Sequence, residues 1–373
     1  MFRIALRNLA VPATASIFCN SAVNNSASAV SETHEHHGSN TLINAVGNTP
    51  LIYLPKLSQA LGRHVFGKAE WLNPSGSVKD RAAKQIILEA QKDGSLLPGG
   101  TICEGTGGNT GIALAALGAS MGYKVVLTMP NCIAEEKVSL ARRYGAEILL
   151  QPLVPFNNPE NYARKAESLG IERENAIFTN QFENLANFRA HYTSTGPEIW
   201  AQSSGKVDAF VCAAGTGGTL AGISAFLKKA SGGRTRCYLV DPHGSALFQF
   251  VKSKLVEVIP GQSSQIEGIG ISRITNNFKE AQLDGAFQAS DQEAIQMVYY
   301  LMKHEGLCVG PSAALNVCGA VKAARNLKEG STVVTVLCDA GERYNSKIFN
   351  SAWLKSYSLE PNVGDASDLS FVK

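Results

Sequence analysis

Lys79 lies in Asn73-Pro74-Ser75-Gly76-Ser77-Val78-Lys79-Asp80-Arg81, in the first turn of an apolar-patterned helix. Helix amino termini carry partial positive charge and favour the uncharged form of an amine. Ser75 and Ser77 are candidate caps, and Val78, Ala82, Ile86 and Ala90 recur every fourth residue, which predicts a buried stripe. Lys79 shares a face with Ala83 and Ile86, apolar surroundings that disfavour charge further. A lysine held neutral attacks carbonyls.

Gly215-Thr216-Gly217-Gly218-Thr219 follows a β-like apolar run, Val207 to Ala214, and precedes a helical stretch from Leu220 to Lys229. Strand, glycine loop and helix start give a phosphate dianion what it needs: backbone amides converging at the favourable end of a helix dipole. The loop has neither the Gly-x-Gly-x-x-Gly dinucleotide spacing nor the P-loop ending, which argues against both of those readings. A nucleophilic amine beside a phosphate cradle suits an aldehyde cofactor that bears a phosphate.

With Thr106-Gly107-Gly108-Asn109-Thr110 and Gly310-Pro311-Ser312, these segments resemble the cysteine synthase family of pyridoxal-phosphate enzymes, from about Asn40 to Asn350. The resemblance implies two open, twisted α/β sheet domains with the cofactor at their junction, the tryptophan synthase β-like arrangement known as fold type II. It implies that Lys79 binds the pyridoxal 5'-phosphate aldehyde and shuttles the substrate α-proton. Gly215, Thr216, Gly217, Gly218 and Thr219 would hold the phosphate, Asn109 the ring hydroxyl, and Ser312 would face the ring nitrogen. The substrate would lie against Thr106, Gly107, Thr110, Gln181 and Gly268.

A neutral hydroxyl at the ring nitrogen withdraws fewer electrons than a charge-paired one, so loss of a β-substituent should outcompete transamination and give an aminoacrylate. The activity so implied is β-replacement, making L-cysteine from O-acetylserine and sulfide. A cysteine desulfhydrase or cyanoalanine synthase acting on L-cysteine stays open, as does a non-catalytic member serving as a binding scaffold. Gly107 stands where relatives commonly have Ser, and Ile271-Ser272-Arg273 departs from the usual continuation after Gly268-Ile269-Gly270. Homodimerisation is implied by the family alone.

From Thr41 onward the chain must supply a scaffold, and short β-like runs alternate with helical patterns, as in an open, mainly parallel α/β sheet. Residues 39–195 are expected to form one α/β domain and 196–373 a second. Length, 45% hydrophobic and 17% charged residues suit two domains around one site, and the net charge of +3 without a basic aromatic cluster gives nucleic-acid binding little support. The longest apolar stretches are too short and too interrupted for a membrane span. None of the eight cysteines is in Cys-x-x-Cys spacing, so reduced thiols are expected rather than a metal cluster or disulfide framework.

Met1 to Gly38 is rich in Ser, Ala and Asn, carries Arg3 and Arg7, and has no acidic residue before Glu32. Phe2, Leu6 and Leu9 fit one face of a short basic helix, a mitochondrial-type presequence pattern, with a disordered cytoplasmic tail as the alternative. His34, His36 and His37 read as part of a solvated linker rather than a metal site. The polar tail beyond Trp353 receives no role.

Overall fold

The computed structural model describes residues 41–155, 158–258 and 263–373, and these belong to one compact unit, Asn40–Lys373. The presequence-like segment and its histidines lie outside the described residues.

Among the described residues ten strands build two sheets: β1 Leu51–Tyr53, β2 His64–Ala69, β3 Thr101–Gly105, β4 Lys124–Pro130, β5 Glu147–Gln151, β6 Ala176–Phe178, β7 Ala209–Cys212, β8 Arg236–Pro242, β9 Gly285–Ala289 and β10 Thr332–Leu337. The larger sheet runs β1-β2-β10-β7-β8-β9 and the smaller β5-β4-β3-β6. Every pairing is parallel except β1 with β2. Parallel strands are covered on both faces, which explains why β3, β7 and β10 are buried at every residue; β7 reads as an unbroken apolar run and β10 as one interrupted by threonines, while β3 buries Glu104 among its apolar residues.

The βαβαβ block expected near residues 100 to 150 is present, with the helices Asn109–Ser120 and Glu135–Arg143 between its strands. The first of these helices is buried from Thr110 through Gly118, so it is apolar all round rather than striped.

The expected division between residues 195 and 196 follows chain order, whereas the sheets do not. β1 and β2 belong to the larger sheet, where β2 pairs with β10 from His64↔Thr332 to Ala69↔Leu337. Along the described residues the chain therefore first enters the larger sheet, leaves to build β3 to β6, and returns at β7. A strand can find its partner more than 250 residues away because burial, not sequence proximity, selects the pairing.

Candidate active site

Parallel strands point their carboxyl ends one way, and the loops after β3, β6, β7 and β10 meet over one cavity of about 590 Å³. Of the residues expected to act, Lys79, Thr106, Gly107, Asn109, Thr110, Gln181, Gly215, Thr216, Gly217, Thr219, Gly268 and Ser312 all line it. Gly218 does not. It starts the helix Gly218–Ala230 packed against Asn187, whose Oδ1 lies 2.2 Å from where a Cβ would stand.

Lys79 is the first residue of the helix Lys79–Lys92, half-buried, with Ser77 Oγ accepting from its backbone N–H at 3.3 Å. Ser75, expected as a cap, instead donates its hydroxyl to the Asp80 carboxylate, which also accepts from the Ser75 N–H at 2.6 Å. Burial raises the Asp80 carboxyl to about 6 although both Ser75 bonds pull it down. The stripe of Val78, Ala82, Ile86 and Ala90 is buried as its spacing predicts.

The glycine loop is shaped to leave its amides bare. Gly217 has φ of +92°, the left-handed region, and a Cβ on Gly215 would stand 2.2 Å from the Gly268 carbonyl oxygen. The N–H groups of Gly217, Gly218 and Thr219 belong to the helix start, which has no intrahelical acceptors, and among the described residues nothing else accepts from them. Side chains steady the loop from behind: Asn187 Nδ2 donates to Thr216 Oγ1 at 2.9 Å, and Thr275 Oγ1 donates to the Thr216 carbonyl at 2.7 Å. Thr219 Oγ1 pairs with His191 Nε2 at 3.1 Å. Complete burial, aided by the Arg81 and Lys79 charges, pushes His191 well below its ordinary value and keeps it neutral. Unpaired amides at a helix start in a space too tight for a Cβ fit a phosphate group.

Asn109 is pinned at both ends. Its Nδ2 donates to Asp339 Oδ2 at 2.6 Å, and its Oδ1 accepts from the Arg343 guanidinium at 2.6 Å. Tyr344 donates its hydroxyl to the same Asp339 oxygen at 2.6 Å. One amide N–H of Asn109 is left for a group in the cavity. Asp339, Arg343 and Tyr344 were not given a role from the sequence. Their signal was their place just beyond β10, at the strand end where sites of this architecture form.

Thr110 donates its hydroxyl to Gln181 Oε1 at 2.6 Å, so the helix start after β3 and the loop after β6 share one polar contact. Thr106 Oγ1 accepts from the Gly108 N–H at 3.2 Å. A Cβ at Gly107 would stand 2.6 Å from Ile133 Cδ1, so the serine common at this point in relatives would need Ile133 to move. Ser312 is buried as the second residue of the helix Pro311–Arg325, whose proline start has a preset φ.

On the opposite wall Gly268, at φ of +82°, follows Glu267, and the Gly270 N–H donates to the Ala214 carbonyl at 2.9 Å. Glu267 forms ion pairs with Lys137 and, at 2.5 Å, with Lys347. Burial lowers the Lys137 ammonium to about 8. Arg273 pairs with Glu183 and lies 5.0 Å from the centre of the Phe182 ring. Of these charges the sequence drew notice only to Arg273, as part of the Ile271-Ser272-Arg273 departure.

A cavity at the carboxyl ends of parallel strands, with a lysine on one side and a bare amide cradle on the other, defines an α/β enzyme that works with a phosphorylated aldehyde cofactor. Residues 42–339 match the model of the family described as pyridoxal-phosphate dependent enzyme. The chain is 51% identical over 324 residues to cysteine synthase 1 of Emericella nidulans, covering 86% of this chain and 87% of that one. It is 47% identical to a cysteine synthase of Dictyostelium discoideum, covering 91% of each. The crystal structure of O-ureido-L-serine synthase superposes with a TM-score of 0.76 at 32% identity, covering 85% of this chain and 99% of the other. The chain belongs to the cysteine synthase family of pyridoxal-phosphate-dependent enzymes.

Proposed function

We propose that this enzyme makes L-cysteine by β-replacement on O-acetylserine with sulfide. The observation that carries the reading is the meeting, in one cavity, of Lys79, the glycine loop through Gly215, Thr216, Gly217 and Thr219, and the Thr110–Gln181 pair. Pyridoxal phosphate, when bound, supplies an electron sink that weakens bonds at the substrate Cα. Lys79 Nζ would hold its aldehyde carbon, the glycine-loop amides its phosphate, Asn109 its ring hydroxyl, and Ser312 Oγ its ring nitrogen.

Thr106 through its hydroxyl, Thr110 through its backbone N–H and Gln181 through its side-chain amide then hold the substrate carboxylate, which fixes Cα against Lys79, while the Thr110 hydroxyl stays on Gln181 Oε1. Lys79 Nζ takes the Cα proton as the Cβ–O bond to acetate breaks, and returns it once the Cβ–S bond has formed. Asp339 and Arg343 keep Asn109 from rotating through this cycle.

The test compares sulfide consumed from O-acetylserine with sulfide released from L-cysteine by the holoenzyme, with borohydride trapping to map the modified lysine. Consumption should dominate, the label should sit on Lys79, and Lys79→Ala should lower the rate at least ~10³-fold, since it removes both covalent and proton-transfer roles. Dominant release from cysteine would turn the reading to a desulfhydrase.

The reading extends to assembly as a homodimer, as the family implies, and to mitochondrial location, supported by the basic, acid-poor pattern of Met1 to Gly38.

A further inference from the structure

Glu104 is the last but one residue of β3, immediately before the loop that begins at Thr106, and it is 1% exposed. Among the described residues no lysine, arginine or histidine forms an ion pair with it. A buried carboxylate without a cation is costly, and it persists only if hydrogen bonds hold it. Apart from the N–H of its neighbour Gly105, its partners come from one short stretch. Thr179 donates its hydroxyl to Glu104 Oε2, the Gln181 N–H donates to the same oxygen at 3.2 Å, and Gln181 Nε2 donates to Oε1 at 3.4 Å. Burial lifts the Glu104 carboxyl to about 7, while the Thr179 and Gln181 bonds pull it back.

The consequence falls on Gln181. An amide has one acceptor end and one donor end, and turning it over exchanges them. With Nε2 on Glu104, Oε1 is the end that accepts from Thr110 at 2.6 Å. In the reversed orientation Oε1 would face the Glu104 oxygens, acceptor against acceptor. Ionised, as it is above about pH 7, Glu104 therefore disfavours that orientation, whereas the protonated acid could donate to Oε1 and tolerate it; with Glu104 ionised, one N–H of Nε2 stays free for a ligand in the cavity that Gln181 lines.

We propose that Glu104 is a positioning residue of the amino-acid site: it fixes the Gln181 amide with its donor end available to the substrate carboxylate. This rests on the reading above in which Gln181 holds that carboxylate. Glu104 touches neither substrate nor cofactor. It selects which way round the group that does so is presented.

The test uses the holoenzyme and Glu104→Gln, whose own amide can satisfy Gln181 in either orientation. The expected result is a fall of about tenfold in kcat/KM for O-acetylserine and an equal weakening of L-cysteine binding by calorimetry. The kcat/KM for sulfide, which joins after the carboxylate is seated, should stay within about twofold. In a Gln181→Ala background, Glu104→Gln should add nothing to the loss of cysteine affinity.

Unchanged amino-acid terms in Glu104→Gln, or a loss shared equally by sulfide, overturns the proposal and leaves Glu104 a fastener between β3 and the loop after β6. If Gln181→Ala itself binds cysteine normally, the carboxylate seat is wrong, and the proposal falls with it. Should Glu104→Gln fail to fold, Thr179→Val keeps the acid but removes a hydroxyl that holds it. A weaker form of the same split supports the proposal, and its absence overturns it.

Discussion

Arg81 fixes where Lys79 can be. Two residues along the same helix, it bonds Glu70 through Nε at 2.7 Å and Glu198 through a terminal nitrogen at 2.7 Å, with Thr49 and Ser194 also in reach. Glu70 is wholly buried, so removing the guanidinium strands a carboxylate in the interior. Arg81→Met should cost about 3–5 kcal/mol, the usual penalty for breaking a buried ion pair from one side, read as a shift in urea midpoint. Burial alone would raise the Glu198 carboxyl, but Arg81 and Lys68 hold it down at about 2. A carboxyl lowered in the folded state contributes stability that is present above its unfolded value of about 4.3 and is lost as pH falls towards ~2. Glu198→Gln should accordingly flatten that part of the acid-unfolding profile while lowering stability at neutral pH.

At this scale the sequence revealed residues that break a local rule, such as a lysine at a helix start or glycines where a strand ends. It did not reveal Glu104, Asp339 or Arg343, whose local surroundings look ordinary. Asn109 and Asp339 are 230 residues apart in the chain, and Glu104 and Gln181 are 77 apart. No periodicity reports such a meeting.

The element that carries most of the chemistry is β7, its glycine loop and the helix Gly218–Ala230. Its geometry depends on backbone that only glycine adopts easily, and Gly217 is the extreme case. A Cβ there would stand 2.7 Å from Phe278 backbone atoms, on top of a left-handed φ. Gly217→Ala should cost at least ~1–2 kcal/mol from the conformation alone, and more from the collision. The loop must move to relieve it, so the same variant should lose affinity for pyridoxal phosphate, measured by equilibrium dialysis of apoprotein against the free cofactor. Normal cofactor affinity in a folded Gly217→Ala protein would count against the cradle. Elements of this kind were legible because strand, turn and helix each obey short-range rules. The strand β7 and the helix after it appear within two residues of where their apolar pattern places them. The cap at Ser75 was misread for a related reason: a serine hydroxyl near a helix start can accept from a backbone N–H or donate to an acid, and here it donates to the Asp80 carboxylate.

Across the whole molecule, the chain path is the part that sequence order conceals. β1 and β2 join the larger sheet before the smaller one is built, and the chain end closes over that same sheet. The tail beyond Trp353 looked merely polar, yet Leu359, Leu369 and Val372 lie in the same core cluster as the helices Asp291–Tyr300 and Pro311–Arg325. Three apolar residues spread over fourteen positions make no periodic pattern. Their backbone carbonyls matter as much: Arg325 donates to Val372 at 2.5 Å and to Leu369 at 2.8 Å, and the Tyr300 hydroxyl donates to Ala366 at 2.6 Å. The Lys373 N–H reaches Glu293 at 3.0 Å, on the acid that also pairs with Lys322 at 2.8 Å. Deleting residues 359–373 exposes this surface and strands these donors. At ~1.5–3 kcal/mol for each buried apolar side chain, the truncated enzyme should lose roughly 5 kcal/mol or more. The loss should appear as a large drop in thermal midpoint and in soluble yield. Because the tail sits behind the helix that carries Ser312, and Arg325, Tyr300 and Glu293, which hold it, do not line the cavity, any fraction that folds should keep the wild-type KM for O-acetylserine. A raised KM with an unchanged thermal midpoint would instead place the tail in the site.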